Sequence, residues 1–99
     1  MIFATAIDGE AAAVLGTHTH EPTHLLHLFL KATAFLADVG MTGPMGALDG
    51  FPLTHVAVTY RGDEWAQVPT FTLADRPMTL RAVLLRVEGG RTRALSRND

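Results

Sequence analysis

A short, continuous apolar run, AAAVLG at Ala11–Gly16, ends directly in a polar stretch. A short apolar run without alternation is typical of a strand that is covered on both faces. We therefore predict a buried central strand in a sheet of the α/β class. The polar stretch from Thr17 to Thr23 is then the loop at the carboxyl end of this strand, where α/β sheets keep their sites.

The segments on either side of this strand and loop are shorter elements. MIFATAI, followed by Asp8-Gly9, is typical of the last turns of a helix with a glycine stop. The stretch from His24 to Asp38, HLLHLFLKATAFLAD, permits either one apolar helix or two strands. The segment Val39–Gly50 is rich in glycine and contains one proline, which predicts a loop with unusual backbone angles.

The second half of the chain has one ambiguous segment and then a β pattern. In Phe51–Tyr60 the apolar residues have helical spacing behind Pro52, which favours a helix, whereas the β-branched content favours a strand. The rest is typical of antiparallel β-structure, with Gly89–Gly90 as a hairpin turn. The predicted strands are QVPTFTL (Gln67–Leu73), MTLRAVLLRVE (Met78–Glu88) and RTRALS (Arg91–Ser96).

Composition narrows the classes of partner and site. A length of 99 residues corresponds to one domain or part of one, and a net charge of -2 indicates neither DNA nor an anionic membrane as a partner. The absence of cysteine excludes thiolate metal sites, so any metal must be held by His, Asp, Glu or Asn. No apolar stretch reaches the ~18 residues of a membrane span. The start has no basic region typical of a signal peptide, which predicts a cytoplasmic location.

The loop GTHTHEPTH (Gly16–His24) permits two kinds of metal site. His20-Glu21-Pro22-Thr23-His24 matches H-E-x-x-H, the signature of zinc proteases. That site requires both histidines on one face of a helix, with the glutamate polarising a metal-bound water. Gly-Thr-His-Thr is a poor helix start, and Pro22 is tolerated only near the first turn. The zinc-protease interpretation is therefore the weakest of those we consider.

The other interpretation uses His18 and His20. In an extended backbone, residues i and i+2 project to the same side, so both imidazoles would enter the crevice at the end of the strand. Neutral imidazole suits Zn, Mn and Fe. The spacing alone favours exposed loop histidines that bind nothing.

Several blocks of the sequence together resemble a known family. Asp8-Gly9, AAAVLGTHTH, Pro22-Thr23, Thr33-Ala34-Phe35 and DVGMTGP (Asp38–Pro44) are similar to the C-terminal part of the bacterial YmdB-like metallophosphoesterases, of the calcineurin-like superfamily. The spacing agrees without a gap from Asp8 to Pro44. The later PMTLRAVLLRVEGGRTRALSR resembles the family's closing β-hairpin more loosely. The resemblance implies that residues 1–99 are a single partial domain, the C-terminal portion of an α/β/β/α sandwich with a C-terminal antiparallel hairpin.

The resemblance also implies a chemistry and a set of site residues. The family hydrolyses phosphoesters, including 2′,3′-cyclic nucleotides, with two divalent transition metal ions (Fe, Mn or Zn) that hold the attacking hydroxide. By position, His18 and His20 are metal ligands, one for each ion. Thr17 and Thr19 would support these ligands or be structural. The loop Gly40, Met41, Thr42 and Gly43 would lie beside the site, where both a substrate role and a purely backbone role stay open.

The match is incomplete, because the family's other ligands lie upstream in motifs that this chain lacks. These are a D-x-x-G, a Glu-Asn pair, a G-N-H that holds the general-acid histidine, and a further histidine. Two imidazoles hold a metal weakly, since hydrolytic sites usually supply at least three protein ligands. We therefore expect a fragment that is inactive alone and needs a complementing N-terminal portion or a homo-oligomer. The rival hypothesis is a non-enzymatic α/β remnant or interaction module.

A second departure is local. From His24 to Ala32, HLLHLFLKA replaces the family's polar segment and its Pro-Gly-Gly turn, so an apolar helix is predicted here rather than the family's hairpin. Under this view His24 and His27 are incidental to the site, and His55 is a surface or packing residue. Without the rest of the fold, apolar surface and strand edges are expected to stay exposed.

Overall fold

The structure is a computed structural model and describes residues 1–62 and 73–98. The chain divides into two compact units, of which the first comprises Met1–Met41 with Arg81–Asp99 and the second Thr42–Leu80. The elements of the described residues are α1 (Ile2–Ala6), β1 (Ala13–Leu15), β2 (His27–Leu28), β3 (Ala34–Leu36), β4 (Gly43–Pro44), β5 (Ala47–Leu48), β6 (Phe51–Pro52), α2 (Leu53–Tyr60), β7 (Met78–Thr79), β8 (Val83–Glu88) and β9 (Arg91–Arg97).

The first unit begins with the predicted helix and its glycine stop. The N–H of Ile7 donates to the carbonyl of Phe3 at 3.3 Å at the end of α1. Gly9 has a φ of 88°, a left-handed conformation that glycine adopts without steric cost. Ala4, with 1% of its surface exposed, is the residue of this helix that is buried.

A three-stranded sheet in the order β1-β3-β2 carries the site of interest. β1 is parallel to β3, with Val14 beside Phe35, and β2 is antiparallel to β3, with His27 also beside Phe35. The strand predicted within Ala11–Gly16 is confirmed, but the prediction that it is the central strand of the sheet is wrong. β3 is the central strand of this sheet, and β1 lies at its edge and is only half-buried.

The segment His24–Asp38 forms two strands, so the prediction of an apolar helix over it is wrong. The turn between them is closed by the N–H of Phe29, which donates to the carbonyl of Thr33 at 3.0 Å, and it places Ala32 at a φ of 70°. The carboxylate of Asp8 accepts the N–H groups of Lys31 at 3.0 Å and Thr33 at 3.2 Å. A distant carboxylate therefore stabilises a turn that lacks the usual turn residues.

The predicted closing hairpin is present in the first unit. β8 and β9 are antiparallel, and Gly89 and Gly90 form the turn with φ values of 58° and 75°. Thr92 is buried, with its N–H donating to the carbonyl of Ala32 at 3.0 Å and its hydroxyl to that of Ala12 at 2.7 Å. These two bonds attach the hairpin to the sheet.

In the second unit, the ambiguous segment Phe51–Tyr60 is a helix over Leu53–Tyr60, which confirms the favoured alternative. The predicted loop Val39–Gly50 begins in the first unit and also contains β4 and β5. Four of its residues have positive φ values: Gly40, Gly46, Asp49 and Gly50. The predicted strand Met78–Glu88 is interrupted between β7 and β8. The side chain of His55 lies outside what the structure describes, as does the strand predicted at Gln67–Leu73 apart from its last residue.

The fully buried apolar residues among those described are few: Ala4, Ala34 and Leu36. The buried polar residues are Thr33, Asp38 and Thr92. Many large apolar side chains are exposed instead, and Leu30 is exposed over its whole side chain at 104%. The mixed α/β class is confirmed, and so is the expectation of exposed apolar surface. In the part of the chain that the structure describes, no helix is long and apolar enough to cross a membrane.

Candidate functional site

The site is built on the Thr17–Thr23 loop, which leaves the carboxyl end of β1 as predicted. The loop is not extended, because the backbone bends at His18 and Thr19, and His20 has a φ of 65°. The expectation of an extended i, i+2 pair is therefore wrong. His18 and His20 are both exposed, as imidazoles that face a ligand or solvent must be.

The geometry of this loop excludes the zinc-protease interpretation. No helix runs through His20–His24, and the nearest element on the C-terminal side is the strand β2. His20 has a φ of 65° and no helix follows it, so His20 and His24 do not share a helical face. The match to H-E-x-x-H is therefore incidental.

A buried carboxylate, that of Asp38, organises the loop. It is 1% exposed and lies just after β3, at the same end of the sheet as the loop that follows β1. Its Oδ2 accepts hydrogen bonds from the Thr19 N–H at 2.6 Å, the Thr19 hydroxyl at 2.8 Å and the His20 N–H at 3.2 Å. Its Oδ1 accepts the Gly40 N–H at 2.7 Å. Asp38 was not predicted as a site residue, although its position after an apolar segment and before a glycine loop was a usable signal.

The main chain joins the same two loops. The N–H of Thr23 donates to the carbonyl of Asp38 at 3.0 Å, and the Asp38 N–H donates to the Thr23 hydroxyl at 3.0 Å. The N–H of Met41 donates to the carbonyl of His20 at 2.9 Å. The Thr17–Thr23 loop and the start of the glycine loop are therefore one hydrogen-bonded assembly.

Arg97, near the end of the closing hairpin, adds a charged clamp to this assembly. Its Nη1 donates to the carbonyl of Thr23 at 3.0 Å, and its Nη2 donates to the carbonyl of Val39 at 2.9 Å. A guanidinium carries donors in a fixed fork and suits this bridge between two carbonyls. The hairpin therefore supports the candidate site as well as closing the fold.

The other residues predicted to lie at the site are Thr17, Thr19 and the loop from Gly40 to Gly43. Gly40 has a φ of 95°, and a Cβ there would lie 2.9 Å from the Cβ of Pro22, so backbone geometry alone requires glycine. Thr19 bonds Asp38, which places it as a support of the loop, and Met41 bonds His20 through the main chain. Thr17 is exposed. Thr42 and Gly43 belong to the second unit, and their place beside the site stays a prediction.

The two histidines treated as incidental behave differently from each other. His24 is exposed. His27 is half-buried in an aromatic cluster, with its ring centroid 6.2 Å from that of Phe29 and 5.8 Å from that of Phe35. These contacts indicate that His27 has a packing role in the aromatic cluster.

His18 and His20 are of a residue type that binds transition metals, but they are fewer than such a site needs. Imidazole suits Zn, Mn and Fe, and the exposed pair His18 and His20 is of that type. Among residues 1–62 and 73–98, no three His, Asp or Glu side chains are grouped so as to hold a metal ion. Two histidines are fewer than the three protein ligands usual in hydrolytic metal sites.

Two opposing effects determine the pKa of the Asp38 carboxyl. Burial acts to raise the pKa, whereas the hydrogen bonds from the Gly40 N–H, from the hydroxyl and N–H of Thr19 and from the His20 N–H lower it. The net result is a pKa below the ordinary value of an aspartate. The folded loop therefore favours the charged carboxylate over the neutral acid.

This lowered pKa predicts a pH dependence of stability. The contribution of Asp38 is complete above the pKa of about 4 that an aspartate has in an unfolded chain, and it is lost as pH falls through the lower folded value. Thermal unfolding of the wild type and of Asp38→Asn between about pH 6 and pH 2.5 measures this. We expect the stability difference between the two proteins to shrink on acidification. A constant difference over that range would contradict the prediction.

Comparison with known proteins gives a consistent result. A family model described as "YmdB-like protein" matches residues 1–98. A 2′,3′-cyclic-nucleotide 2′-phosphodiesterase of Bacillus subtilis (strain 168) is 35% identical over 82 residues, which cover 82% of this chain and 30% of that protein.

Two crystal structures show the same fold. That of a hypothetical protein from Thermus thermophilus superposes with a TM-score of 0.79 at 35% identity, covering 98% of this chain and 37% of the other. That of a novel phosphatase from Mycoplasma pneumoniae superposes with a TM-score of 0.80 at 25% identity, covering 97% of this chain and 34% of the other. The chain spans about a third of the length of these relatives.

Proposed function

The chain belongs to the YmdB-like protein family, and from that membership we propose that it forms part of the catalytic site of a phosphodiesterase that acts on phosphoesters such as 2′,3′-cyclic nucleotides. The observation that carries the proposal is the family match over residues 1–98. The structure supports it, because the hydrogen-bonded polar loops are concentrated at one end of the sheet around Asp38. Catalytic residues of α/β proteins lie at this end.

His18 and His20 are proposed as ligands of two divalent transition metal ions (Fe, Mn or Zn), one for each ion. Both side chains are exposed on a loop whose backbone is fixed by hydrogen bonds, which is what a ligand pair requires. When bound, such ions supply Lewis-acid stabilisation of charge on the phosphoryl oxygens. The contribution of this chain is to hold and orient the two imidazoles.

The 99-residue chain alone is proposed to be inactive. Among its described residues no three His, Asp or Glu side chains are grouped so as to hold a metal ion, and the family's remaining motifs are not in its sequence. A second polypeptide that supplies those motifs would complete the site, whereas a further copy of the chain would add only a second pair of histidines. A phosphodiesterase assay with 2′,3′-cyclic nucleotides and added Mn²⁺ tests this. Metal-dependent turnover by the isolated chain would contradict the proposal.

Metal titration tests the role of the histidines directly. We expect Zn²⁺ binding to weaken by about tenfold or more in His18→Ala and in His20→Ala, because each removes a ligand from a set of two. His24→Ala is the matched control, since His24 is exposed in the same part of the chain and lies outside the proposed pair. Isothermal titration calorimetry of chains without an affinity tag measures the three affinities.

The outcome also decides between this proposal and its rival. If the wild type binds no Zn²⁺, or if all three variants bind it as the wild type does, the histidines are not a metal pair. The chain is then better described as a non-enzymatic α/β module. The exposed apolar side chains are compatible with either description, so the titration decides between them.

A further inference from the structure

His20 holds a backbone conformation that is uncommon outside glycine. Its φ of 65° lies in the left-handed region, which only a few per cent of non-glycine residues adopt, with asparagine, aspartate and histidine enriched among them. Such conformations persist only where the surroundings determine them, and they concentrate at functional sites. The strained residue here is one of the two proposed metal ligands.

Both backbone groups of His20 are held. Its N–H donates to Asp38 Oδ2 at 3.2 Å, and its carbonyl accepts the N–H of Met41 at 2.9 Å. The preceding residue is held by the same carboxylate, since Thr19 donates both its N–H and its hydroxyl to Asp38 Oδ2. The Thr19 hydroxyl also accepts the N–H of Glu21 at 3.3 Å. Asp38 therefore holds the backbone before His20 directly, and the backbone after it through the Thr19 hydroxyl.

The Asp38 carboxylate is itself immobilised. Asp38 is buried, its Oδ1 accepts the Gly40 N–H, and its own backbone is paired with Thr23 in both directions. A carboxylate with its own backbone and both oxygens engaged cannot rotate to follow the loop. The direction in which the Cα–Cβ bond of His20 leaves the loop is thus determined by the position of Asp38 relative to β3.

We infer that Asp38 is the positioning residue of the histidine pair, and that its carboxylate, with the Thr19 hydroxyl, holds His20 in the left-handed conformation and so sets the direction of its imidazole. The inference rests on the proposed role of His18 and His20 as metal ligands. Asp38 does not touch the metal or the substrate in this scheme. It acts through the backbone of the residues between the two ligands.

The chain offers a matched control for a purely structural carboxylate. Asp8 also accepts two backbone N–H groups, those of Lys31 and Thr33, but it does so at the β2–β3 turn. Asp8→Asn and Asp38→Asn therefore each neutralise a carboxylate that accepts backbone N–H groups, in two different loops. A second pair covers the case in which Asp38→Asn does not fold. Thr19→Val removes the hydroxyl at nearly constant size, and Thr19→Ser retains it.

Two measurements on the 99-residue chain test the inference. In the metal-free protein, backbone coupling constants and chemical shifts report the φ of His20 by nuclear magnetic resonance. We expect a positive φ in the wild type, in Thr19→Ser and in Asp8→Asn, and its loss in Asp38→Asn and Thr19→Val. In a Zn²⁺ titration of variants that are folded, we expect Asp38→Asn and Thr19→Val to bind about tenfold more weakly, the scale seen when the partner of a metal ligand is removed.

The inference is overturned if His20 keeps its positive φ in both Asp38→Asn and Thr19→Val. It is also overturned if these variants bind Zn²⁺ as the wild type does, or if Asp8→Asn weakens binding equally. Failure of the wild type to bind Zn²⁺ is a different result, because it contradicts the proposed metal role. In that case the metal-free measurement of His20 alone decides whether Asp38 positions it.

Discussion

Replacing Gly16 with alanine is expected to disrupt the fold of the first unit. Gly16 is the first residue of GTHTH, and a Cβ built on it would overlap the carbonyl oxygen of Ala37 and lie 2.9 Å from the carbonyl carbon. The obstacle is backbone, which cannot rotate away as a side chain would. Hydrogen bonds also hold the two backbone segments together. The Gly16 N–H donates to the Leu36 carbonyl at 3.0 Å, and the Gly16 carbonyl accepts the Val39 N–H at 2.9 Å.

The expected loss is about 3 kcal/mol or more of the free energy of unfolding, at or above the upper end of the range for overpacked sites. Small domains have only about 5–15 kcal/mol in total, so the change is large for a chain of this size. Urea denaturation followed by circular dichroism measures it. Gly62→Ala is the control, because among the described residues a Cβ at Gly62 meets nothing within 4 Å, and the cost of its positive φ is about 1–2 kcal/mol. Equal losses in the two variants would show that the close approach at Gly16 is not responsible.

The second large effect is expected from Leu36→Ala. Leu36 is 0% exposed and is the largest fully buried side chain among the described residues. It lies in β3, the central strand of the sheet, beside Leu15 of β1. Because few other apolar side chains are fully buried, little else compensates for the cavity. We expect a loss of about 3 kcal/mol in the free energy of unfolding, within the range for large-to-small core substitutions.

Leu30→Ala is the matched control for this substitution. Leu30 is fully exposed in the turn between β2 and β3, so the same change there should alter the free energy of unfolding by less than about 0.5 kcal/mol. Both variants are compared by urea denaturation under the same conditions. A loss at Leu36 no larger than at Leu30 would mean that β3 does not form the core of the sheet in solution.

Features that depend on neighbouring residues were predictable from the sequence. The apolar run before Gly16 predicted β1, Gly89–Gly90 predicted the closing hairpin, and Leu53–Tyr60 formed the helix that its spacing favoured. The GTHTH and DVGMTGP motifs indicated the family, which the match over residues 1–98 then confirmed. Periodicity, turn chemistry and motif spacing all act over a few residues, and a sequence displays them directly.

The hairpin at His24–Asp38 depended on residues far along the chain. Its apolar composition permitted a helix, but the carboxylate of Asp8 holds the N–H groups of Lys31 and Thr33 and stabilises the turn. β3 also pairs with β1 on its other side, and a helix in this segment could not form these inter-strand hydrogen bonds. Tertiary context therefore overrode local preference here.

Thus the sequence by itself determined the family, the strand–loop order around GTHTH and the residue types available for chemistry. Which strand is central, and that the Asp38 carboxylate binds the backbone of Thr19 and His20, became evident only in the folded chain. The physical reason is that strand order and buried hydrogen bonds join residues distant in the chain. Asp38 and Thr19 are 19 positions apart, and only folding brings them together.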